Sequence, residues 1–465
     1  MTAFAILAVM AVGVGLMLTR RLPTAFALVL LSVAIALLAG APLTGEEGSV
    51  TVTVLQEGAP MLASTMVAIL LGCWLGTLMS EAGIASTLVR KIVEFGGERP
   101  SVVAVGVFAV AILCGSITGS APAAMLAGVV GIPAMIAVGV PPVVAAGTVL
   151  VGIAAGLPLE LINWQFLSDA IGVPVSTVQH FQLRMFPIAV AGGLAYILIE
   201  MRRRGARHTW AVRVPAGGAG SGSGSGADGG SGSGSDGDAR GSGADGGRTG
   251  ALARAARRRE RRGDAPWYAL LTPIVPIGLA LGLEIPIVPA LLVGLVYALV
   301  TAVRWRDMAT TALRTLYRSF DVAAPPIVLF IAIGMLLAAV GLPGAVDALS
   351  PIVTAISPSH PLLFVAVFAV LVPLCLYRGP MNIFGLGAGV AGVLISGGIY
   401  PPPAVLGMMA SYGQVLGVSD PTSTQTVWSA QYAGVRPERS MLSTLPYTWV
   451  VAIAGLSLTV WLYLL

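Results

Sequence analysis

Charge is scarce in this chain. Only 10% of its 465 residues are Asp, Glu, Lys or Arg, where soluble domains carry about 25%. Apolar residues make up 56%, and mean hydropathy is +0.89. That shortage excludes a soluble globule and leaves a polytopic membrane protein. Cysteine is equally thin: Cys73, Cys114 and Cys375 all lie in apolar segments, which excludes a disulfide framework and a thiolate metal cluster. A redox pairing of Cys114 with Cys375 competes with a plain packing role. His180, His208 and His360 fall in expected loops with no partners for a metal. A His–Glu zinc motif, a Ser/Lys dyad at suggestive spacing and a cofactor fingerprint are all missing, so neither an intramembrane enzyme nor a cofactor is expected.

What is present is a series of apolar segments with basic loops between them. The first, "MTAFAILAVMAVGVGLML", has its arginines after it rather than before it, the reverse of a signal peptide, so it reads as a retained helix. The formal charge of +5 comes mostly from basic loops and points to an anionic lipid surface, not to nucleic acid. Residues 205–265, with "GAGSGSGSGADGGSGSGS" and "ARAARRRERRG", are too poor in apolar groups to fold and read as a linker. Its Gly/Ser-rich part would span about 35–40 Å on average, enough to tether two halves without fixing their geometry.

Those halves, 1–204 and 266–465, look duplicated. "VFAV" at 107–110 returns at 367–370, an offset of 260. In the same register Pro141 and Pro142 fall on Pro401 and Pro402, Gly119 on Gly379, Gly147 on Gly407, Glu160 on Asp420 and Gln165 on Gln425. Upstream, "LLGCWLGTLMSEAG" parallels "AIGMLLAAVG". The expected fold is an all-α membrane protein with about ten spans, near 3–19, 23–41, 60–79, 143–168, 183–201, 267–283, 286–303, 322–340, 403–433 and 443–464. Segments 101–138 and 361–400 are interrupted by "CGSITGSAPA" and "LYRGPMN" and read as hairpins that enter the membrane and return. "STLVRKIVEFGG" and "WRDMATTALRTLYRSF" read as amphipathic surface helices.

With these spans Arg20, Arg21, Arg90, Lys91, Arg99, Arg202–Arg204, Arg304, Arg306, Arg436 and Arg439 share one side, the cytoplasmic one. "TGEEG" falls outside, with Arg184 the main exception. The linker is then cytoplasmic, both termini are extracytoplasmic, and the repeat is inverted. Inverted repeats with broken helices are the build of many secondary transporters, with substrate near the midplane.

Irregular backbone at membrane depth persists only where protein buries it or where it lines a watery cavity. Four breaks qualify. The first hairpin tip offers Ser116, Thr118, Gly119 and Ser120, and the second offers Arg378, Gly379 and Asn382. The broken helices offer Glu160 and Asn163 in "AGLPLELINWQ", and Asp420, Thr422, Ser423 and Thr424 in "LGVSDPTSTQT". An arginine at the bilayer centre costs about 2.5–3.5 kcal/mol on insertion scales, and a carboxylate on the substrate offsets that through its planar fork. Helix N-termini and hydroxyls suit the same anion. Glu160 and Asp420 are the candidates to carry H⁺, or to help coordinate Na⁺. Bland roles stand beside these: an ion pair of Arg378 with either carboxylate, helix capping by Glu160 or Asp420, and packing by Ser116, Thr118 and Ser120.

The order of three helices, hairpin, broken helix and helix, repeated inverted, resembles the ion transporter superfamily of secondary carriers. "LLGCWLGTLMSEAGIASTLVRKIVEFGGERP" and "GVSDPTSTQTVWSAQYAGVRPERSMLSTLPYTWVVAIAGL" are similar to segments of its gluconate permease and citrate–metal/proton symporter branches. The resemblance implies an elevator-like symporter of organic anions, a homodimer by analogy, in the plasma membrane. The tips read "SITGS" and "RGPMN" where the dicarboxylate branch has Ser-Asn-Thr, which favours a proton-driven carrier of a hydroxy- or polycarboxylate. A cation/proton antiporter of the same superfamily is the alternative; a fixed arginine in the site speaks against it.

Overall fold

The computed structural model describes residues 2–19, 21–45, 47–97, 99–118, 120–204 and 265–465, apart from the side chains of Leu18, Ser120, Ile356 and Arg378. Residues 205–264, and with them nearly all of the expected linker, lie outside the described residues. The described residues form eighteen α-helices and no strand. All these helices belong to one unit.

The first half runs α1 (Thr2–Leu18), α2 (Thr24–Leu38), α3 (Ala63–Glu81), α4 (Ile84–Gly96), α5 (Pro100–Gly115), α6 (Ser120–Ala137), α7 (Pro142–Gly156), α8 (Leu161–Ile171) and α9 (Val175–Arg204). The second repeats the order: α10 (Ile274–Gly282), α11 (Ile287–Ala302), α12 (Met308–Val340), α13 (Pro343–Ile356), α14 (Pro361–Leu371), α15 (Leu386–Ser396), α16 (Pro402–Ser419), α17 (Thr424–Tyr432) and α18 (Pro437–Tyr463). Prolines mark the repeat. Pro100 and Pro361 open the hairpins, and Pro142 and Pro402 open the broken helices. At a first helical position the missing N–H has no intrahelical partner to lose.

The packing exchanges between halves. α2 lies on α12 as α3 lies on α11; α7 meets α16, α9 meets α18, α6 packs on α17 and α15 on α8. Each hairpin is two legs of 11–18 residues. At 1.5 Å per residue the longest leg is about 27 Å, and the shortest about 17 Å, too short to cross. With re-entrant hairpins each half would cross five times, and an odd number is what the expected inverted repeat requires. Helices Ala63–Glu81, Pro142–Leu159, Val175–Arg204, Trp305–Val340 and Pro437–Tyr463 are long and apolar enough to span on their own. Exposed Phe26, Leu30, Val296, Val300 and Val450 are surface that only an apolar solvent accepts at this density.

Three expectations are corrected. The amphipathic segment from Trp305 and the span 322–340 are not separate: α12 runs unbroken for 33 residues through Pro325 and Pro326. Its lower part is tied to α3, where Trp74 Nε1 donates to Thr315 Oγ1 at 3.0 Å and Glu81 pairs with Arg314 and Arg318. Second, residues 343–356, which the sequence reading leaves without an element, form α13, which follows α12 as α4 follows α3. Third, α9 begins at Val175 rather than near 183, so His180 and Arg184 lie within a helix.

Candidate functional site

The two breaks give the site its frame. In the first, α7 ends at Gly156, a 3₁₀ turn covers Leu157–Leu159, and Glu160 turns the chain into α8. In the second, α16 ends at Ser419 and Asp420 turns the chain toward α17. Glu160 has φ −77°, ψ 113°, and Asp420 has φ −79°, ψ 113°. Two carboxylates 260 residues apart thus occupy the same backbone corner, at 6% and 2% exposure. The corners are neighbours, because a Cβ on Gly417 would stand 3.0 Å from Leu157 Cδ1.

Breaking a helix strands carbonyls, and polar side chains recover them. Trp164 Nε1 donates to Pro158 O at 2.9 Å in the first break. In the second, Gln425 Nε2 donates to Gly417 O at 2.6 Å and Thr426 Oγ1 to Val418 O at 2.9 Å.

The first hairpin's tip seats against the first break and α3. A Cβ on Gly115 would fall 2.6 Å from Ile153 O, and one on Gly76 would fall 2.9 Å from Thr118 Cγ2. Only bare backbone admits approaches this close. Ser116 donates to Leu113 O at 2.9 Å, within its own turn. Thr118 differs: it is 2% exposed, and its hydroxyl has no hydrogen-bond partner. A buried orphan hydroxyl costs about 1–3 kcal/mol, which a ligand oxygen would recover. Gly119 and the Ser120 side chain lie outside the described residues.

The second hairpin's tip is bonded to the second break. Asp420 Oδ1 accepts from Tyr377 N at 3.2 Å, Thr422 N at 2.8 Å and Thr422 Oγ1 at 2.7 Å. Tyr377 holds a left-handed conformation at φ 54°, which costs a non-glycine residue on the order of 1–2 kcal/mol. Asn382 stitches the same tip, donating to Cys375 O at 3.3 Å and accepting from Phe384 N at 2.9 Å. Gly379 is buried in the turn, its N–H donating to Leu376 O at 2.9 Å. The Arg378 side chain lies outside the described residues.

The structure therefore brings Ser116 and Thr118 to the first break and Thr422 to Asp420 at the second, while Gly379 and Asn382 bond within the tip whose Tyr377 N–H reaches Asp420. Asn163 is half-buried on α8. Ser423 Oγ pairs with Thr426 Oγ1 at 2.7 Å, and exposed Thr424 reaches only Gln425. Sequence reasoning missed several groups. Asp169, on α8, accepts from Gln165 Nε2 at 2.8 Å and from Thr65 N and Oγ1 at 3.2 and 2.7 Å, fastening α8 to the start of α3. Phe384 of the second tip stacks on Phe166 at 5.4 Å, and Phe330 of α12 meets Phe166 edge-on at 4.7 Å. A cleft of about 690 Å³, lined by Glu47, Glu57, Asp169, Leu337 and Ser396, opens beside the far end of α8. Only the four-residue spacing of Gln165 and Asp169 hinted at any of this.

No family model and no curated protein matches this sequence. Solved structures do. The YdaH transporter of Alcanivorax borkumensis, described as having an unusual topology, superposes with a TM-score of 0.58 at 15% identity over 94% of this chain and 98% of its own. MtrF of Neisseria gonorrhoeae, described as illuminating a class of antimetabolite efflux pumps, gives a TM-score of 0.58 at 12% identity over 95% of each chain. The chain has the fold of these two membrane proteins. The likeness is one of fold and lends nothing to the gluconate permease or citrate branches.

Proposed function

We propose that the protein is a secondary active transporter that carries a small organic anion in symport with H⁺ or Na⁺. The two hairpins and two broken helices form the moving unit, and the early helices of each half form the scaffold. One observation carries this reading: two buried carboxylates on equivalent corners of two broken helices, each corner met by a hairpin tip. Arg378, Thr118 and the N-terminus of α6 bind the anion, with Ser116, Gly119, Ser120, Asn163, Gly379, Asn382, Thr422, Ser423 and Thr424 shaping the surroundings. Glu160 and Asp420 take up the coupling cation, so that the loaded site moves near neutrality. The carrier is a plasma-membrane homodimer with residues 205–265 on the cytoplasmic side. MtrF's description as an efflux pump puts export beside uptake as the direction of flux.

The test is a melting-temperature screen of the purified full chain against small carboxylates, gluconate and citrate included, with wild type and Arg378→Ala side by side. A ligand that binds only the folded state raises the apparent Tm, by about 2.7 kcal/mol of stabilisation at a hundredfold excess over Kd. Stabilisation of wild type but not of the variant supports the reading. The paired carboxylates also favour a second reading, a cation/proton antiporter. Stabilisation by Na⁺ or pH alone, with Arg378→Ala unchanged, would put that reading first.

A further inference from the structure

A second group of buried hydroxyls starts at Ser419, the residue before Asp420, and leads to α18. Ser419, fully buried beside Asp420 in sequence, shares hydrogen bonds with Thr448 Oγ1 at 2.8 Å and Thr444 Oγ1 at 2.9 Å on α18. In both pairs either oxygen can donate. Thr444 has a second outlet, to Ser440 O at 3.1 Å, and Thr448 has one to Leu445 O at 3.2 Å. These hydroxyls therefore hold two interchangeable hydrogen arrangements. Thr448 also lines a small, partly open space of about 10 Å³ together with Gln414, Tyr447 and apolar neighbours such as Val151, Ala154 and Val451. That is the room of about one water molecule. On its other side the Tyr447 hydroxyl donates to Glu200 Oε1 at 3.1 Å. Glu200 is 3% exposed and is bonded by Arg203 and Arg204 at the last turn of α9, on the arginine-rich face that also carries Arg436 and Arg439.

The geometry points to a proton path: Glu200, Tyr447, one water in the small cavity, Thr448 and Ser419, ending at Asp420. The inference rests on the proposed role of Asp420 as a coupling group. Hydroxyls in a bilayer are common as packing groups. What sets this row apart is its reversible bonds and a buried carboxylate beside each end. Transfer needs no co-reactant. A proton arriving at Glu200 passes when each O–H in turn donates forward and accepts from behind, and the row resets by rotation of the hydroxyls. The ionisable groups around the inner end are Cys375 and Tyr377 on the second hairpin, where Arg378 follows in sequence, Tyr412 on α16, and Glu160 at the first break. Around the outer end they are Tyr196, Arg203 and Arg204. The anion is bound from the hairpin side, so this path lets the coupling proton enter or leave by a way the substrate does not block.

The test follows Asp420 itself and needs no substrate. In the solubilised full chain, the carboxylic C=O band that Asp420→Asn removes is followed by time-resolved infrared after a pH jump. Tyr447→Phe and Thr448→Val each delete one hydroxyl while keeping the side chain's shape. Each is expected to slow protonation of Asp420 at least tenfold, leaving the end-point protonation and the Tm unchanged. Ser419→Ala provides a third, independent break in the row. Rates within twofold of wild type in all three variants overturn the path while leaving the carrier reading intact. A band assigned to Asp420 that never appears between pH 4 and 9 removes both the path's destination and Asp420 as a coupling group.

Discussion

Replacing Asp420 should loosen the second hairpin selectively, and the structure sets the size of the effect. Its Oδ1 accepts three donors, of which one, Tyr377 N at 3.2 Å, belongs to the hairpin tip. Hydrogen bonds to a charged group contribute about 1.5–3 kcal/mol. Losing the one to Tyr377 therefore shifts local opening of the tip by about tenfold to a hundredfold, at 1.4 kcal/mol per factor of ten. The left-handed Tyr377 adds to the effect, since that backbone relaxes once its anchor is gone. Amide hydrogen exchange over residues 372–385 reads this opening directly. Asp420→Ala should speed exchange there by about 10–100-fold while leaving α9 and α11 unchanged. Asp420→Asn keeps an acceptor without the charge and should fall between, because neutral hydrogen bonds are roughly half as strong. Thr422→Val serves as a control: it removes a donor to Oδ1 and leaves the Tyr377 bond in place, so exchange at the tip should change by less than about threefold. Equal exchange in wild type and Asp420→Ala would refute the reasoning, since the tip would then be held by something other than this carboxylate.

Thr118→Val removes a buried hydroxyl that has no partner at nearly constant shape. The ligand-free protein should become as stable or up to about 2 kcal/mol more stable, while any carboxylate that stabilises wild type should bind at least several-fold more weakly in the same melting assay. Gly115→Ala would set a methyl 2.6 Å from Ile153 O and 2.8 Å from Ile153 Cα. Both obstacles are backbone, so a cost of about 1–3 kcal/mol and a lower apparent Tm are expected. Glu81→Gln breaks pairs with Arg314 and Arg318, whose side chains are 49% and 63% exposed. The loss should stay below about 1 kcal/mol and shrink further in high salt, as thermal unfolding at two ionic strengths will show.

Much of this frame was legible because it is written locally. Prolines that open helices and carboxylates that mark breaks act through their own backbone, so the register of 260 survives into matching dihedrals at Glu160 and Asp420. What stayed hidden depends on partners far along the chain. Tyr377 is left-handed and donates its N–H to a carboxylate 43 positions away, and no propensity forecasts that for a tyrosine. Asp169 reads as one more helical polar residue until Thr65, 104 positions back, is placed beside it. The Phe166, Phe330 and Phe384 cluster draws on α8, α12 and a hairpin tip, and α12 continues through two prolines because its packing against α2 and α3 supports it. Arg378, Glu160 and Asp420 were legible because a charge beside a helix break at membrane depth is costly; Asp169 and the aromatic cluster lie inside helical patterns and carry no such signal.

The central claim is coupled carriage of an organic anion, and flux into proteoliposomes tests it most directly. The reconstituted full chain should accumulate a carboxylate identified by the melting screen when a pH or Na⁺ gradient is imposed. Arg378→Ala should abolish that flux, and Asp420→Asn should uncouple it from the gradient. Carboxylate movement indifferent to both gradients would contradict the account, as would gradient-driven ion flux that needs no carboxylate and is unaltered in Arg378→Ala.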